Sequence, residues 1–501
     1  MRGTGAAKVL TAEAVVREID LPPDDLLRAL LMLDARRRVS ILDSGGSRPP
    51  DARFLIAGFD PFEIIEARGA QLHITRRDPP AEETVQGELL ALLDERLRSY
   101  QTASAPQGDA PVPGACIATF SYDLGQRFQP TRINRSRRDL REPDAVLAFC
   151  DTLVIHDYER GTSQLVSRSG PERLDEAYRL LCDAATSARS VSPGEADASP
   201  LEEDDFKRPP LSINAPGVAS NFTRDEYLSA IERIKRHIAA GDIYQANLTQ
   251  QLSVSLSPGQ KPERIFLRLR CDHPASFAAF IRRREDAVVS ASPERFLRVG
   301  VSPSGARLIE AWPIKGTRPR GASQDEDERL RLELLRSEKD RAENVMIVDL
   351  MRNDLGRVCL YGSVRVEELC TLQVHPTLFH LVSKVSGTLR DEVRVSDLLR
   401  AAFPCGSITG APKLRAMEII DEVENVPRGL SMGAIGYFSF DGRMDLSVAI
   451  RTMTLRAGLA RFNVGGGIVA DSDPALEYEE SLTKALALLR ALRRARMKAE
   501  G

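Results

Sequence analysis

The chain has 501 residues, 42% of them apolar, enough to bury a sizeable core in one large fold or in two or three ordinary domains. Its 69 basic and 72 acidic residues leave a formal charge of -3, which excludes the broad basic field of a nucleic-acid or anionic-membrane binder but leaves room for a local anion site. Seven cysteines without knuckle spacing and six histidines without an HExxH array exclude a disulfide scaffold and argue against a zinc centre.

The opening segment has apolar residues interrupted by Lys8, Glu13, Arg17 and Glu18 and reads as no export signal. No run approaches the roughly 20 apolar residues of a membrane span, so a cytoplasmic protein is expected. Asp24 is expected to cap a helix through DLLRALLMLDARR, followed by a strand at RVSILDSGG that the glycines end. Further strands are expected at FLIAGFD, FEIIEARG, QLHITRR, CIATFSYD and AVLAFCDTLVIHDYE, and a helix at ERLDEAYRLLCDAATSAR. Residues 1–185 are read as an N-terminal region, 186–220, rich in Ser, Pro, Gly and acidic residues, as a linker or surface loop, and 102–114 as a shorter break. Asn221 or Thr223 can cap the helix RDEYLSAIERIKRHIAAG, which Gly241 ends. DIYQANLTQQLSVSL alternates as a strand, with Ala246, Leu248 and Gln250 opposite Gln245, Asn247 and Thr249. Residues 221–490 form a denser region and 491–501 a tail. Without a regular βαβ repeat, the class is α+β with large antiparallel sheets.

Chemistry concentrates in the second half. In EAWPIKGTRPRG, Lys315 lies between Ile314 and Gly316 in what reads as a constrained turn, where partial desolvation makes an amine nucleophilic. In SEKDRAENVMIVDLMRNDLGRV, Ser337 with Asp340 makes a capping-box variant, and Asp340 and Glu343 share a helix face. That pair serves either the helix dipole or a ligand. A second i,i+3 acidic pair, Glu477 and Glu480, follows Asp473 as cap and Pro474 at the first helical position. Four such carboxylates around one cavity would repel one another unless a hard cation neutralised them, and magnesium suits oxygen ligands beside a small anionic substrate.

His380 opens the alternating strand HLVSKVSGTL, as a structural imidazole or a catalytic one. Lys413 stands in the first turn of the helix after PCGSITGAP, facing either solvent or a ligand; Cys405 beside it reads as a structural thiol. Arg451, after MDLSVAI, is an anion-ligand candidate. Gly465, Gly466 and Gly467 form a turn, a bulge or an exposed backbone able to hold a carboxylate, and they match neither a dinucleotide fingerprint nor a P-loop.

In order, DIYQANLTQ, ASPERFL, PIKGTRPRG, SEKDRAENVMIVDLMRNDLGRV, HLVSKVSGTL, PCGSITGAPKLRAMEIIDE, GAIGYFSFDGRMDLSVAIRTM and NVGGGIVADSDPALEYEE resemble the chorismate-utilising enzymes. That family includes anthranilate, aminodeoxychorismate, isochorismate and salicylate synthases. The resemblance covers about residues 215–490 and implies a large two-subdomain α/β sandwich with antiparallel sheets and helices outside, binding chorismate beside one Mg2+ ion. It implies Glu343 and Glu480 as direct metal ligands, with Asp340 and Glu477 nearby or acting through water; the family usually has glutamate where this chain has Asp340. It places Arg451, Tyr437, Lys413, Thr409 and the Gly465 to Gly467 backbone around the substrate, and His380 near the ring and the leaving hydroxyl.

Two positions speak to the branch. Water-adding members carry a basic lysine where this chain has Gln245, so the resemblance implies ammonia as nucleophile. Lys315 resembles the lysine of the PIKGT segment in the aminodeoxychorismate branch, where anthranilate synthases generally have alanine; there it is held to attack C2 of chorismate before ammonia adds at C4, with pyruvate retained. No glutaminase module and no lyase domain are recognisable, so ammonia from a separate glutamine amidotransferase and a separate downstream lyase toward 4-aminobenzoate and folate are implied. The alternatives are an anthranilate synthase component and a non-catalytic chorismate-binding or scaffold protein. ILDSGG lies where relatives can bind tryptophan; here Asp43 and Ser44 read as turn and edge-strand packing.

Overall fold

The computed structural model describes residues 14–45, 53–101, 112–128, 142–190, 212–375 and 378–493. Two large antiparallel sheets, each of twelve strands among the described residues, form its frame, eleven in a row and one beside it: Gly410–Ala411 on Gln245–Ser255 in the first, Arg365–Val374 on Leu378–Thr388 in the second. The first runs Val15–Glu18, Thr162–Ser167, Thr152–Asp157, Phe54–Gly58, Ser40–Asp43, Phe277–Arg282, Ala287–Ser292, Thr452–Arg456, Leu459–Ile468, Gln245–Ser255 and Val218–Ser220. The second runs from Ile314–Pro319 through Leu378–Thr388, Arg307–Trp312, Arg295–Val301, Met444–Val448 and Ala434–Ser439, then through Ala115–Phe120, Ala145–Cys150, Glu63–Arg68 and Gln71–Arg77 to Pro80–Gln86. Strands from before residue 186 and after residue 220 thus complete both sheets together.

Alternation explains the layers. Along Ala115–Phe120, Cys116 and Ala118 enter a core with Leu90, Ile347, Met351 and Leu399 of the covering helices, whereas Ile117 joins Ala279, Val288 and Ile435 between the sheets. The first sheet is covered likewise by the helices Pro23–Met32, Pro171–Ser190, Pro262–Asp272 and Pro474–Ala491, which supply Leu26, Leu181, Phe266 and Leu488 to its outer core. The architecture is helix, sheet, sheet, helix: the α/β sandwich with antiparallel sheets and peripheral helices that the resemblance implied.

Several local expectations shift. The apolar run 145–157 is two strands, one in each sheet, broken at Asp151, whose carboxylate holds Arg77 and Ser169. Asp24 lies in the first turn of its helix, not at the cap, because Pro22 takes that place. Thr223 caps its helix with a complete capping box to Glu226. The helix before the expected linker runs to Ser190, Val218–Ser220 adds an edge strand, and residues 102–111 and 191–211 lie outside the described residues. Among the described residues no helix is long and apolar enough to cross a membrane.

Candidate functional site

The glycine run is regular strand, neither turn nor bulge. Gly465, Gly466 and Gly467 pair with Thr249, Leu248 and Asn247 of the Gln245–Ser255 strand. A Cβ on Gly465 would stand 1.9 Å from the Leu248 carbonyl oxygen, which excludes a side chain there, and one on Gly467 would stand 1.8 Å from Gln245 Nε2 and displace that amide. Pairing with Thr452–Arg456 on the other side stops at Arg461, leaving that edge of the glycine run without a registered strand partner among the described residues. The missing Cβ of Gly466 faces Glu477 Oε2 at 3.3 Å and Glu480 Oε1 at 3.9 Å.

Both acidic pairs converge beside this strand. The helix Glu338–Gly356 starts where Ser337 accepts from the Asp340 amide at 3.2 Å, and Asp473 caps Pro474–Ala491 by accepting from the Leu476 amide at 2.9 Å. Glu343 is pushed upward by burial, against the pull of Lys315 and Lys339 and with added repulsion from Asp340 and Glu477. Glu480 is held low although burial opposes this, because Lys484, Lys339 and Lys315 stand around it. Glu477 takes a hydrogen bond from Ser472 at 2.7 Å and an ion pair from Lys339 at 3.3 Å, and Asp340 pairs with Arg318 at 3.2 Å. Among the described residues no three acidic, histidine or cysteine side chains stand close enough to hold a metal ion; Glu343, Glu477 and Glu480 have lysine neighbours and Asp340 has Arg318. In chemistry the donor set fits a hard cation: oxygen ligands only, from two helices, mutually repelling, with counter-charges on flexible stems.

Lys315 lies at the centre. Its strand, Ile314–Pro319, is bulged: the register against Val382 and His380 shifts between Ile314 and Thr317, and Gly316 takes φ +86°. The expected turn is therefore a bulge, and at Gly316 a Cβ would stand 2.9 Å from that of Asp340. Lys315 Nζ donates to the Ser407 carbonyl at 3.3 Å and lies 3.9 Å from Glu343. On its other side is Glu294, 4% exposed, whose carboxyl burial pushes up to about 7 against hydrogen bonds from Ser407 and the Ile314 backbone and the charge of Lys315. Glu294 Oε1 has no hydrogen-bond partner among the described residues. Glu294 was not singled out from sequence, although a lone carboxylate in the turn between the apolar segments AVVSAS and RFLRV was a usable signal.

His380 Nδ1 shares a hydrogen bond with Thr317 Oγ1 at 2.8 Å; burial, then Arg451, then His375 drive the imidazole down to about 3, so it is neutral. Arg451, at φ +48°, makes no side-chain ion pair or hydrogen bond among the described residues, and burial alone depresses it. Gln245 is 1% exposed, and its Oε1 likewise has no partner among the described residues.

Three candidates are differently placed. Lys413 is buried, with Nζ on Asp354 at 2.5 Å and on the Ala402 carbonyl at 2.8 Å, so it neither faces solvent nor reaches the lysine and carboxylate cluster. Thr409 turns its hydroxyl onto the Cys405 and Gly406 carbonyls at 3.1 Å, fixing its own loop, while its carbonyl accepts from the Asn247 amide. Tyr437 packs between the sheets against the clusters that hold Ile56, Ala115 and Ile435; burial pushes its phenol up to about 12, and its electrostatic neighbours are Asp445 and Arg443. The structure brings together Lys315, His380, Arg451, Gln245, the glycine strand and the four carboxylates. It sets Tyr437 and Lys413 apart.

The family described as chorismate binding enzyme matches residues 46–490. The chain is 37% identical over 452 residues to aminodeoxychorismate synthase component 1 of Escherichia coli (strain K12), covering 90% of this chain and 92% of that protein. To anthranilate synthase component 1 of Synechocystis sp. it is 36% identical over 454 residues, covering 88% of each. The crystal structure of anthranilate synthase component I from Streptococcus pneumoniae TIGR4 superposes with a TM-score of 0.70 at 27% identity, covering 88% of this chain and 93% of that one. With the same fold, and with an unpaired arginine, a lysine and a carboxylate cluster gathered at an open glycine edge, the chain belongs to the chorismate-utilising enzymes of the aminodeoxychorismate and anthranilate synthase component I family.

Proposed function

We propose that the chain is the aminating component of an aminodeoxychorismate synthase, converting chorismate and ammonia to 4-amino-4-deoxychorismate with the pyruvyl group retained. The observation that carries this reading is Lys315, largely buried at a bulge with Glu343, the Ser407 carbonyl and Glu294 about it. The unpaired Arg451 guanidinium and the open glycine edge suit a substrate carboxylate.

In the first step the lone pair of the Lys315 amine bonds to C2, both ring double bonds shift by one place, from C1=C2 to C1=C6 and from C5=C6 to C4=C5, and the C4–O bond breaks. The Glu294 carboxyl, ionising at about 7, delivers the proton with which the hydroxyl leaves as water. Ammonia then bonds to C4 as the C2–N bond breaks; Lys315 returns as a free amine, and the surplus proton of the new ammonium goes back to Glu294. Neutral His380, oriented by Thr317, hydrogen-bonds the departing hydroxyl. Gln245 has no basicity with which to activate water, and ammonia needs none. Magnesium held by Glu343 and Glu480, with Asp340 and Glu477 beside them or acting through water, would neutralise the ring carboxylate and charge developing on it.

Ammonia comes from a separate glutamine amidotransferase in the cytoplasm, and a separate lyase consumes the product on the way to 4-aminobenzoate. Product analysis with magnesium, chorismate and ammonium tests the reading: 4-amino-4-deoxychorismate without pyruvate is expected. Anthranilate with pyruvate would replace it by the anthranilate synthase reading, and chorismate binding without turnover by the scaffold reading. A borohydride-insensitive adduct on Lys315 is the expected mark of the covalent step. Independently of turnover, Glu343→Gln and Glu480→Gln should each weaken magnesium-dependent thermal stabilisation.

A further inference from the structure

A cleft of about 330 Å3 including its open mouth lies between the sheets, lined by residues that the chemistry above does not use. Arg38, Arg282, Arg283 and Arg284 contribute to it from the first-sheet side, Glu66 and Thr119 from the second. Three of these arginines have counter-charges: Arg283 clasps Asp286 at 2.6 and 2.8 Å, Arg282 contacts Glu263, and Arg284 meets His73 and, at 4.0 Å, Glu82. Arg38 closes no ion pair among the described residues and donates only to the Arg283 carbonyl at 2.6 Å. Its backbone takes φ 51° and ψ 48°, a conformation that a residue with a side chain adopts at a cost. Burial depresses the half-buried Arg38 guanidinium and Arg284 adds to this, while Glu66, Asp286 and Glu82 offset it only in part.

Across the cleft and among the described residues, Glu66, 8% exposed, makes no hydrogen bond or ion pair, and the Oγ1 of Thr119, 1% exposed, has no hydrogen-bond partner. A cation, a carboxylate and a hydroxyl thus face one space without closing on each other. Bare anions satisfy Arg38 and Thr119 but are repelled by Glu66; cations satisfy Glu66 alone. An oxyanion that still carries one hydroxyl satisfies all three, accepting from Arg38, Arg282 and Thr119 and donating to Glu66.

We propose that this cleft is a binding site for hydrogen phosphate, selected over fully deprotonated oxyanions by Glu66, and that its occupation bridges the two sheets. A ligand bound only by the folded chain raises stability by mass action. Titration calorimetry and thermal melts of the full chain at pH 7 and constant ionic strength test it, with inorganic phosphate and sulfate as probes. Phosphate should bind saturably and raise the Tm, and sulfate should bind at least about tenfold more weakly, since a site built to accept from a ligand hydroxyl rejects an analogue lacking it. Glu66→Gln should bring the two anions within about threefold of each other, because an amide accommodates either. Arg38→Gln should weaken phosphate at least about tenfold, and Thr119→Val, which is close in shape, should weaken it while raising the Tm of the ligand-free protein. Equal responses to phosphate and sulfate in the parent protein, no response to phosphate, or an undiminished response in Thr119→Val would each overturn the proposal.

Discussion

Two charged clusters flank the loop 405–409 and are built on opposite plans. Behind it, Arg428 donates to both Glu424 oxygens, at 2.7 and 2.9 Å, to the Ile408 carbonyl at 2.8 Å and to the Asn247 carbonyl at 2.5 Å. Glu424 also takes the Thr249 amide and hydroxyl, at 2.7 and 2.9 Å. In front, Lys315 stands 3.9 Å from Glu343, Glu294 and Gln245 each keep an orphan oxygen, and Arg451 has no polar side-chain partner among the described residues. Saturated charges hold the loop and the Gln245–Ser255 strand together. Unsaturated ones leave donors and acceptors available to a ligand, and it is this lack of partners among the described residues that distinguishes the candidate site from a structural clamp.

The sharpest break between the two is Lys315→Ala. It should cut amination with ammonium at least about a thousandfold, roughly 4 kcal/mol of barrier, with little change in urea midpoint; undiminished turnover would remove the covalent route. Arg428→Gln should do the reverse: stranding Glu424 in the interior should cost about 3 to 5 kcal/mol in urea unfolding. A neutral effect there would mean that the clamp is not structural.

Glu294→Gln tests a group that belongs to the open cluster yet is buried like the closed one. Its carboxyl ionises at about 7 in the folded chain against 4.5 when exposed, so the native state holds the proton longer and stability is lost as pH rises through that window. The glutamine variant has no such loss, so its stability relative to the parent should improve by on the order of 3 kcal/mol between pH 4.5 and 7.5. The alkaline limb of the parent's pH-rate profile near 7 should vanish with it.

Arg451→Gln should weaken chorismate binding by about 10- to 100-fold, the worth of a charge-assisted contact, at nearly constant Tm. His380 and His273 supply a slope of opposite sign to that of Glu294. Burial drives them down to about 3 and about 4 from 6.5, so the unfolded chain takes up protons first and their contribution is lost as pH falls below 6.5. Replacing His273 with Gln should flatten unfolding curves on that acid side.

The segments that carry chemistry were legible because they are local. Capping at Ser337, Thr223 and Asp473, the i,i+3 carboxylate pairs and the alternation of Gln245–Ser255 depend on neighbours a few residues away, and each took the conformation that its local rules require. So did the resemblance, which rests on contiguous motifs. Partners far apart in sequence were not legible. Nothing local announces that Lys413 pairs with Asp354, 59 residues earlier, or that the strand of Tyr437 packs its ring between the sheets. Glu294 was hidden for the converse reason, since only burial distinguishes it from any other glutamate.

By itself the sequence determined where the helices capped by Thr223, Ser337 and Asp473 begin, many of the strands and which family the chain joins, because propensity, capping and motif act over a few residues. Only the tertiary structure decided which charges are closed and which are open. It divided one apolar run between two sheets at Asp151, set Lys315 between Glu343 and Glu294, and left Arg451 without a counter-charge. Desolvation and long-range pairing exist only once the sheets have brought distant residues together.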